Sequence, residues 1–160
     1  MTAPVIMYTD GSSRGNPGPG GYGVILMSGT HRKELSQGYK RTTNNRMELM
    51  AVIAGLKALK KDGLPVTIYS DSQYVVKAVE EKWLEKWIKT NFKGGKKNPD
   101  LWTEFYELSR RHRLKFVWVK GHADNPYNNR CDELATEAAD GAHHQLLDDT
   151  GYVENGNDHP

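Results

Sequence analysis

Val5-Ile6-Met7-Tyr8-Thr9-Asp10 and, further along, Val66-Thr67-Ile68-Tyr69-Ser70-Asp71 are two versions of one pattern: a short β-branched run with an aromatic tip, closed by a carboxylate. Runs of this length and composition read as buried strands, so Asp10 and Asp71 emerge at strand ends. Between them lies Val24-Ile25-Leu26-Met27, then Glu34-Leu35-Ser36-Gln37-Gly38-Tyr39, so that with 5–9 three adjacent strands form a meander. A helical stretch with apolar residues at Leu49, Val52, Ile53, Leu56 and Leu59 follows, then a turn at Asp62-Gly63-Leu64-Pro65. A connection that long between strands indicates a parallel crossover, and with it an α/β fold. Helical patterns continue over 72–79, 81–88 and 99–111, with Asn98 as expected N-cap and Pro99 at the first helical position. Leu114 to Val119 supplies a fifth strand. Asn125-Pro126 repeats the cap signature before a last helix that fades near Gly141.

Two further acids stand beside apolar stripes. Glu48 precedes Leu49 in the first long helix, and Asp132 lies between Cys131 and Leu134 in the last. One position off the stripe, each should border the core at its rim. Read singly, these acids have ordinary explanations: turn and cap chemistry for Asp10-Gly11 and Asp71-Ser72, a solvated helix position for Glu48, helix-dipole complementarity for Asp132. Read together they form one site. Four crowded carboxylates repel one another unless a cation compensates them, and oxygen ligands select a hard divalent ion, Mg²⁺.

Length and composition set the frame. At 160 residues the chain fits one domain with a sizeable core. Its formal net charge is only +2, so affinity for a polyanion has to come from local clusters. The single cysteine, Cys131, sits on an apolar helix face and forms no internal disulfide, so it is read as a packed thiol without a catalytic role. No secretory leader pattern and no membrane-length apolar run is present; cytosolic residence, no membrane partner and, for lack of a spare long apolar stripe, a monomer are the expectations. Residues 1–142 are expected to form the domain, and the polar, acidic 143–160 a partly mobile tail.

Gly18-Pro19-Gly20-Gly21-Tyr22-Gly23 satisfies a dinucleotide-binding pattern, but the Val24-Ile25-Leu26 that follows predicts a strand where a phosphate-cradling loop would need a helix. A tight turn with close backbone approach near Asp10 is expected instead.

The order of motifs resembles bacterial ribonuclease H of type 1 over almost the whole chain. The resemblance is carried by Thr9-Asp10-Gly11-Ser12, by 15–23, by Arg41-Thr42-Thr43-Asn44-Asn45-Arg46-Met47-Glu48-Leu49, by 67–74, by Trp118-Val119-Lys120-Gly121-His122 and by Asn129 to Ala135. It implies a five-stranded mixed sheet, three strands antiparallel and two parallel, flanked by helices. It also implies endonucleolytic hydrolysis of the RNA strand of RNA·DNA hybrids, giving 5′-phosphate and 3′-hydroxyl ends. The family's acidic quartet falls on Asp10, Glu48, Asp71 and Asp132, holding two Mg²⁺ ions, with Mn²⁺ as a substitute, and His122 lies on a loop beside it. Asn16, Asn44, Asn45 and Gln73 take the family's positions for reading RNA through the 2′-hydroxyl, and Arg41, Thr43 and Asn98 its pocket for a DNA-strand phosphate. The segment with Trp83, Leu84, Trp87 and Ile88 on one face and Lys82, Lys86, Lys89, Lys93, Lys96 and Lys97 around it resembles the family's basic projection, shortened here, carrying Gly94-Gly95 and no arginine. Ser13 stands where relatives commonly have cysteine, and Lys77 where many have glutamine. A DNA-directed nuclease on the same fold and a non-catalytic binding module are the competing readings.

Overall fold

The computed structural model describes residues 4–93, 98–120 and 125–152. In chain order it contains β1 (Val5–Ser13), β2 (Gly18–Ser28), β3 (His31–Thr42), α1 (Asn44–Lys57), β4 (Pro65–Ser70), α2 (Gln73–Glu80), α3 (Trp83–Lys89), α4 (Pro99–Ser109), β5 (Arg113–Trp118), α5 (Pro126–Ala139) and a 3₁₀ turn at His143–Gln145. The sheet runs β3-β2-β1-β4-β5. β1, β2 and β3 are antiparallel, and β4 and β5 join parallel to β1, so the expected mixed sheet is the one observed.

Strand periodicity divides the core. Val24 and Leu26 on β2 point into a large cluster with Met7, Leu49, Val52, Ile53, Val66, Ile68, Trp102, Phe105 and Phe116. Ile25, between them, turns to the opposite face and packs on Cys131 and Leu134 of α5. The helices thus cover both faces of the sheet, α1 on one and α5 on the other.

The glycine-rich stretch differs from its sequence reading. Only Gly15 in it takes a positive φ, +100°; from Gly18 onward the stretch is strand. Side chains are excluded there by the protein's own last helix. A Cβ on Gly21 would strike the Ala135 carbonyl, one on Gly23 the Cys131 carbonyl, and one on Gly38 of β3 the Ala138 carbonyl. The missing side chains let α5 lie directly on the sheet, which fixes the height of Asp132 above it.

Two other expectations change. Asn98 precedes α4 in a left-handed conformation, φ 60°, and makes no side-chain cap hydrogen bond. Its amide is spent elsewhere: Oδ1 accepts from Arg46 Nη1 at 3.0 Å and Nδ2 donates to the Tyr74 hydroxyl at 3.0 Å. The start of the acidic C-terminal segment is docked. Leu147 exchanges backbone hydrogen bonds with Gly38 and Lys40, and Asp149 receives Arg46 Nε at 2.7 Å with its side chain 3% exposed. A polar composition looks mobile when its partner is unknown; here the partner is a buried guanidinium. All five N–H donors of Arg46 are occupied, by Asp149, Asp100 and Asn98. Residues 153–160 lie outside the described residues.

Candidate active site

The register of the parallel pair decides where the first two acids meet. β1 and β4 pair Tyr8 with Tyr69 and Thr9 with Ser70, so Asp10 stands level with Asp71. Asp71 does follow the end of β4, but Asp10 lies inside β1 rather than at its end, because pairing with β2 carries that strand on to Ser13. Glu48 comes from the other layer. Thr43 caps α1 by accepting from Arg46 N, which starts the helix so that Glu48 falls in its second turn above β1. Gly11 closes the contact: its N–H donates to Asp10 Oδ1 at 2.9 Å and to Glu48 Oε1 at 2.6 Å. A Cβ on Gly11 would overlap the backbone of Met47 and Glu48, so glycine is required for α1 to come this close. Asp71 sits at the β4–α2 junction, ahead of Ser72, whose hydroxyl caps α2 at Val75 N. Behind it, the Trp118 indole N–H donates to the Asp71 carbonyl at 3.2 Å.

Ligand oxygens of Asp10, Glu48 and Asp71 all lie within 4.8 Å of one another. Asp10 and Glu48 are only 5% and 6% exposed. Glu48 is therefore inside the core boundary rather than at its rim. Asp71 Oδ1 is buried and has no hydrogen-bond partner among the described residues. Asp132 is exposed on α5 and falls outside this tight group, but its charge still acts on Asp10 and Asp71.

The electrostatics follow from this crowding. Burial, then the charges of Asp71 and Asp132, push Asp10 up to about 8, against the opposing hydrogen bond from Gly11. Burial, then Asp10 and Asp71, raises Glu48 well above the ordinary carboxylate range. Burial raises Asp71 as well. Burial and mutual repulsion thus penalise the ionised form of all three inward-facing acids, one of them with a buried oxygen that has no hydrogen-bond partner among the described residues, and a cation among them would offset that penalty. The nearby thiol plays no part: Cys131 donates to the Tyr8 carbonyl at 3.3 Å, and burial pushes it to about 12.

The sequence profile of the RNase H family matches residues 2–140. The chain belongs to the RNase H family. The ribonuclease H of Lachnoclostridium phytofermentans is 57% identical over 155 residues, covering 91% of this chain and 96% of that protein. The ribonuclease H of Syntrophus aciditrophicus is 55% identical over 152 residues, covering 92% and 86%. Among solved structures, LC9-RNase H1, a type 1 RNase H with the type 2 active-site motif, aligns with TM-score 0.78 at 31% identity, covering 87% of this chain and 73% of that one. LC11-RNase H1 in complex with an RNA/DNA hybrid aligns with TM-score 0.63 at 27% identity, covering 85% and 96%.

In this RNase H the remaining expected site residues divide by exposure. Asn44 and Gln73 are exposed at the first positions of α1 and α2, and Asn45 is half-buried. Asn16 is exposed in the β1–β2 connection, and its Oδ1 accepts from Asn44 N at 3.0 Å, latching that connection to the start of α1. Arg41 is exposed at the end of β3, whereas Thr43 and Asn98 are buried, 1% each. Thr43 serves as the α1 cap, and the Asn98 amide joins Arg46 to Tyr74. Trp83 is 41% exposed and Leu84 is buried, with Lys86, Lys89 and Lys93 at the surface. Lys96, Lys97 and His122 lie outside the described residues. Sequence reasoning missed the organising role of Arg46. Its position three residues before Leu49 and seven before Ile53, a charge on the buried stripe, was the available signal.

Proposed function

We propose that this protein hydrolyses the RNA strand of RNA·DNA hybrids internally, with a pair of Mg²⁺ ions, leaving 5′-phosphate and 3′-hydroxyl ends. The observation that carries the reading is the convergence of Asp10, Glu48 and Asp71 around a buried, unpartnered Asp71 oxygen. That donor set fits hard divalent cations, and Mn²⁺ fits it as well. Asp10, Glu48 and Asp71 would hold the metal from within, with the exposed Asp132 as the ligand that a second ion and the substrate complete. Bound there, the ions supply an activated water on one side of the phosphorus and charge neutralisation of the departing 3′-oxygen on the other.

The chain's own groups do the rest. Gly11 N–H holds Asp10 and Glu48 in place before metal arrives, so little reorganisation is needed at the moment of reaction. Asn44, Asn45, Gln73 and Asn16 read the 2′-hydroxyls of the RNA strand in the wide minor groove, the contact that distinguishes ribose from deoxyribose. Arg41, with Trp83, Lys86, Lys89 and Lys93, holds the DNA strand, chiefly through charge. His122 relays a proton in the reaction or helps release product. The protein works as a monomer in the cytosol.

Labelled RNA·DNA, double-stranded DNA and double-stranded RNA incubated with the protein and Mg²⁺ test the reading. Internal cuts confined to the RNA of the hybrid, with 5′-phosphate products, are expected. Cutting of double-stranded DNA, or no cutting of any substrate, would overturn it.

A further inference from the structure

Arg14 follows β1 directly, and no role assigned above uses it. The connection it belongs to is held at both ends. Arg14 N donates to the Pro19 carbonyl at 2.6 Å, and Asn16 Oδ1 takes Asn44 N at 3.0 Å. The backbone of Arg14 is therefore anchored next to the start of α1, between Ser12-Ser13 and the RNA-reading asparagines.

Its side chain is parked on a carboxylate. Nε donates to Asp140 Oδ1 at 2.8 Å and Nη2 to Asp140 Oδ2 at 2.5 Å, the two-pronged geometry by which a guanidinium also grips a phosphate. Asp140 is the C-cap of α5, two turns beyond Asp132. The pair is open to water, with side chains 50% and 55% exposed, so it adds little to stability. Nη1 makes no hydrogen bond among the described residues, which leaves one edge of the guanidinium facing solvent. A polyanion approaching a centre built from four acids needs cations on its path, and Arg14 is close enough to the centre for Asp132 to act on its charge.

Resting on the hybrid-cleaving reading above, we infer that Arg14 is a substrate-binding residue: Asp140 holds it ready in the free protein, and an RNA-strand phosphate takes the place of Asp140 in the complex. Asp140 is then a placeholder that competes with the substrate, so the two partners of one ion pair have opposite effects on binding.

Hybrid affinity by fluorescence anisotropy in EDTA, where cleavage does not run, and KM in Mg²⁺ are measured across a salt series for the unaltered chain, Arg14→Gln and Asp140→Asn. Arg14→Gln is expected to weaken binding about tenfold, and to lower the slope of log Kd against log salt by about 1, with kcat and Tm retained. Asp140→Asn is expected to bind as tightly as the unaltered chain or more so. Unchanged Kd and slope in Arg14→Gln would overturn the inference. So would equal weakening by both substitutions, since the pair would then be one structural unit. Failure of the unaltered chain to cut hybrid sinks the earlier reading instead, so the two failures are distinguishable.

Discussion

Replacing Asp10 by Asn should make the metal-free protein more stable while abolishing cleavage. The native fold holds the Asp10 proton far above the ordinary value of 3.8, up to about 8, chiefly because the group is buried and secondly because Asp71 and Asp132 face it. Between those two values the folded state binds more protons than the unfolded chain, so stability falls as pH rises through the window. Each pH unit is worth about 1.4 kcal/mol, which sets a ceiling of roughly 5 kcal/mol by pH 8. Water entry and relaxation around a crowded site reduce the realised penalty to about 2 kcal/mol, or roughly 4–8 °C in Tm for a chain this size. Asn keeps the shape, removes the charge, and still receives the Gly11 N–H. Thermal unfolding followed by circular dichroism in EDTA at pH 4, 6 and 8 is the assay. The variant's gain should be near zero at pH 4, grow at pH 6 and be largest at pH 8. With Mg²⁺ present the gain should shrink, because the ions stabilise the unaltered site by binding it. A gain independent of pH, or a variant less stable than the parent at pH 8 in EDTA, would refute the electrostatic account.

Two further expectations rest on single contacts. Asn44→Ala removes an exposed side chain and leaves its backbone bond to Asn16 intact, so Tm should stay within about 2 °C, whereas kcat/KM on hybrid should drop about tenfold or more as 2′-hydroxyl reading is lost; near-normal turnover would remove Asn44 from the binding set. Arg46→Ala strands the buried Asp149 carboxylate and should cost about 3–5 kcal/mol, seen as a Tm lower by roughly 6–20 °C, and adding Asp149→Ala should recover part of the loss; additive losses in the double variant would mean the two side chains are not coupled.

Much of this was legible in linear order, and for identifiable reasons. Strand and helix patterns follow from side-chain geometry along a few residues, so the strand run Val24-Ile25-Leu26-Met27 and the helical stripe Leu49, Val52, Ile53, Leu56 needed no partner to be read. The acids were conspicuous for standing at the ends of those patterns. Where the reading failed, the missing information was always a second segment. Glycines at 21 and 23 look like turn residues until α5 is laid across them. Asn98 looks like a helix cap until Arg46 and Tyr74 take its amide. Asp149 looks like part of a tail until Arg46 is found buried beneath it.

The chain alone determined which residue types are available: four carboxylates in polar motifs, short amides around them, and a lysine-rich segment, set on an α/β alternation. Only the tertiary structure decided their depth and distance. The parallel register of β1 and β4 sets Asp10 beside Asp71, a glycine brings Glu48 down to meet them, and Asp132 stays outside the tight group, exposed to solvent. Periodicity depends on neighbours along the chain. The desolvation and mutual repulsion that drive these acids toward a cation depend on neighbours across it, which no local pattern encodes.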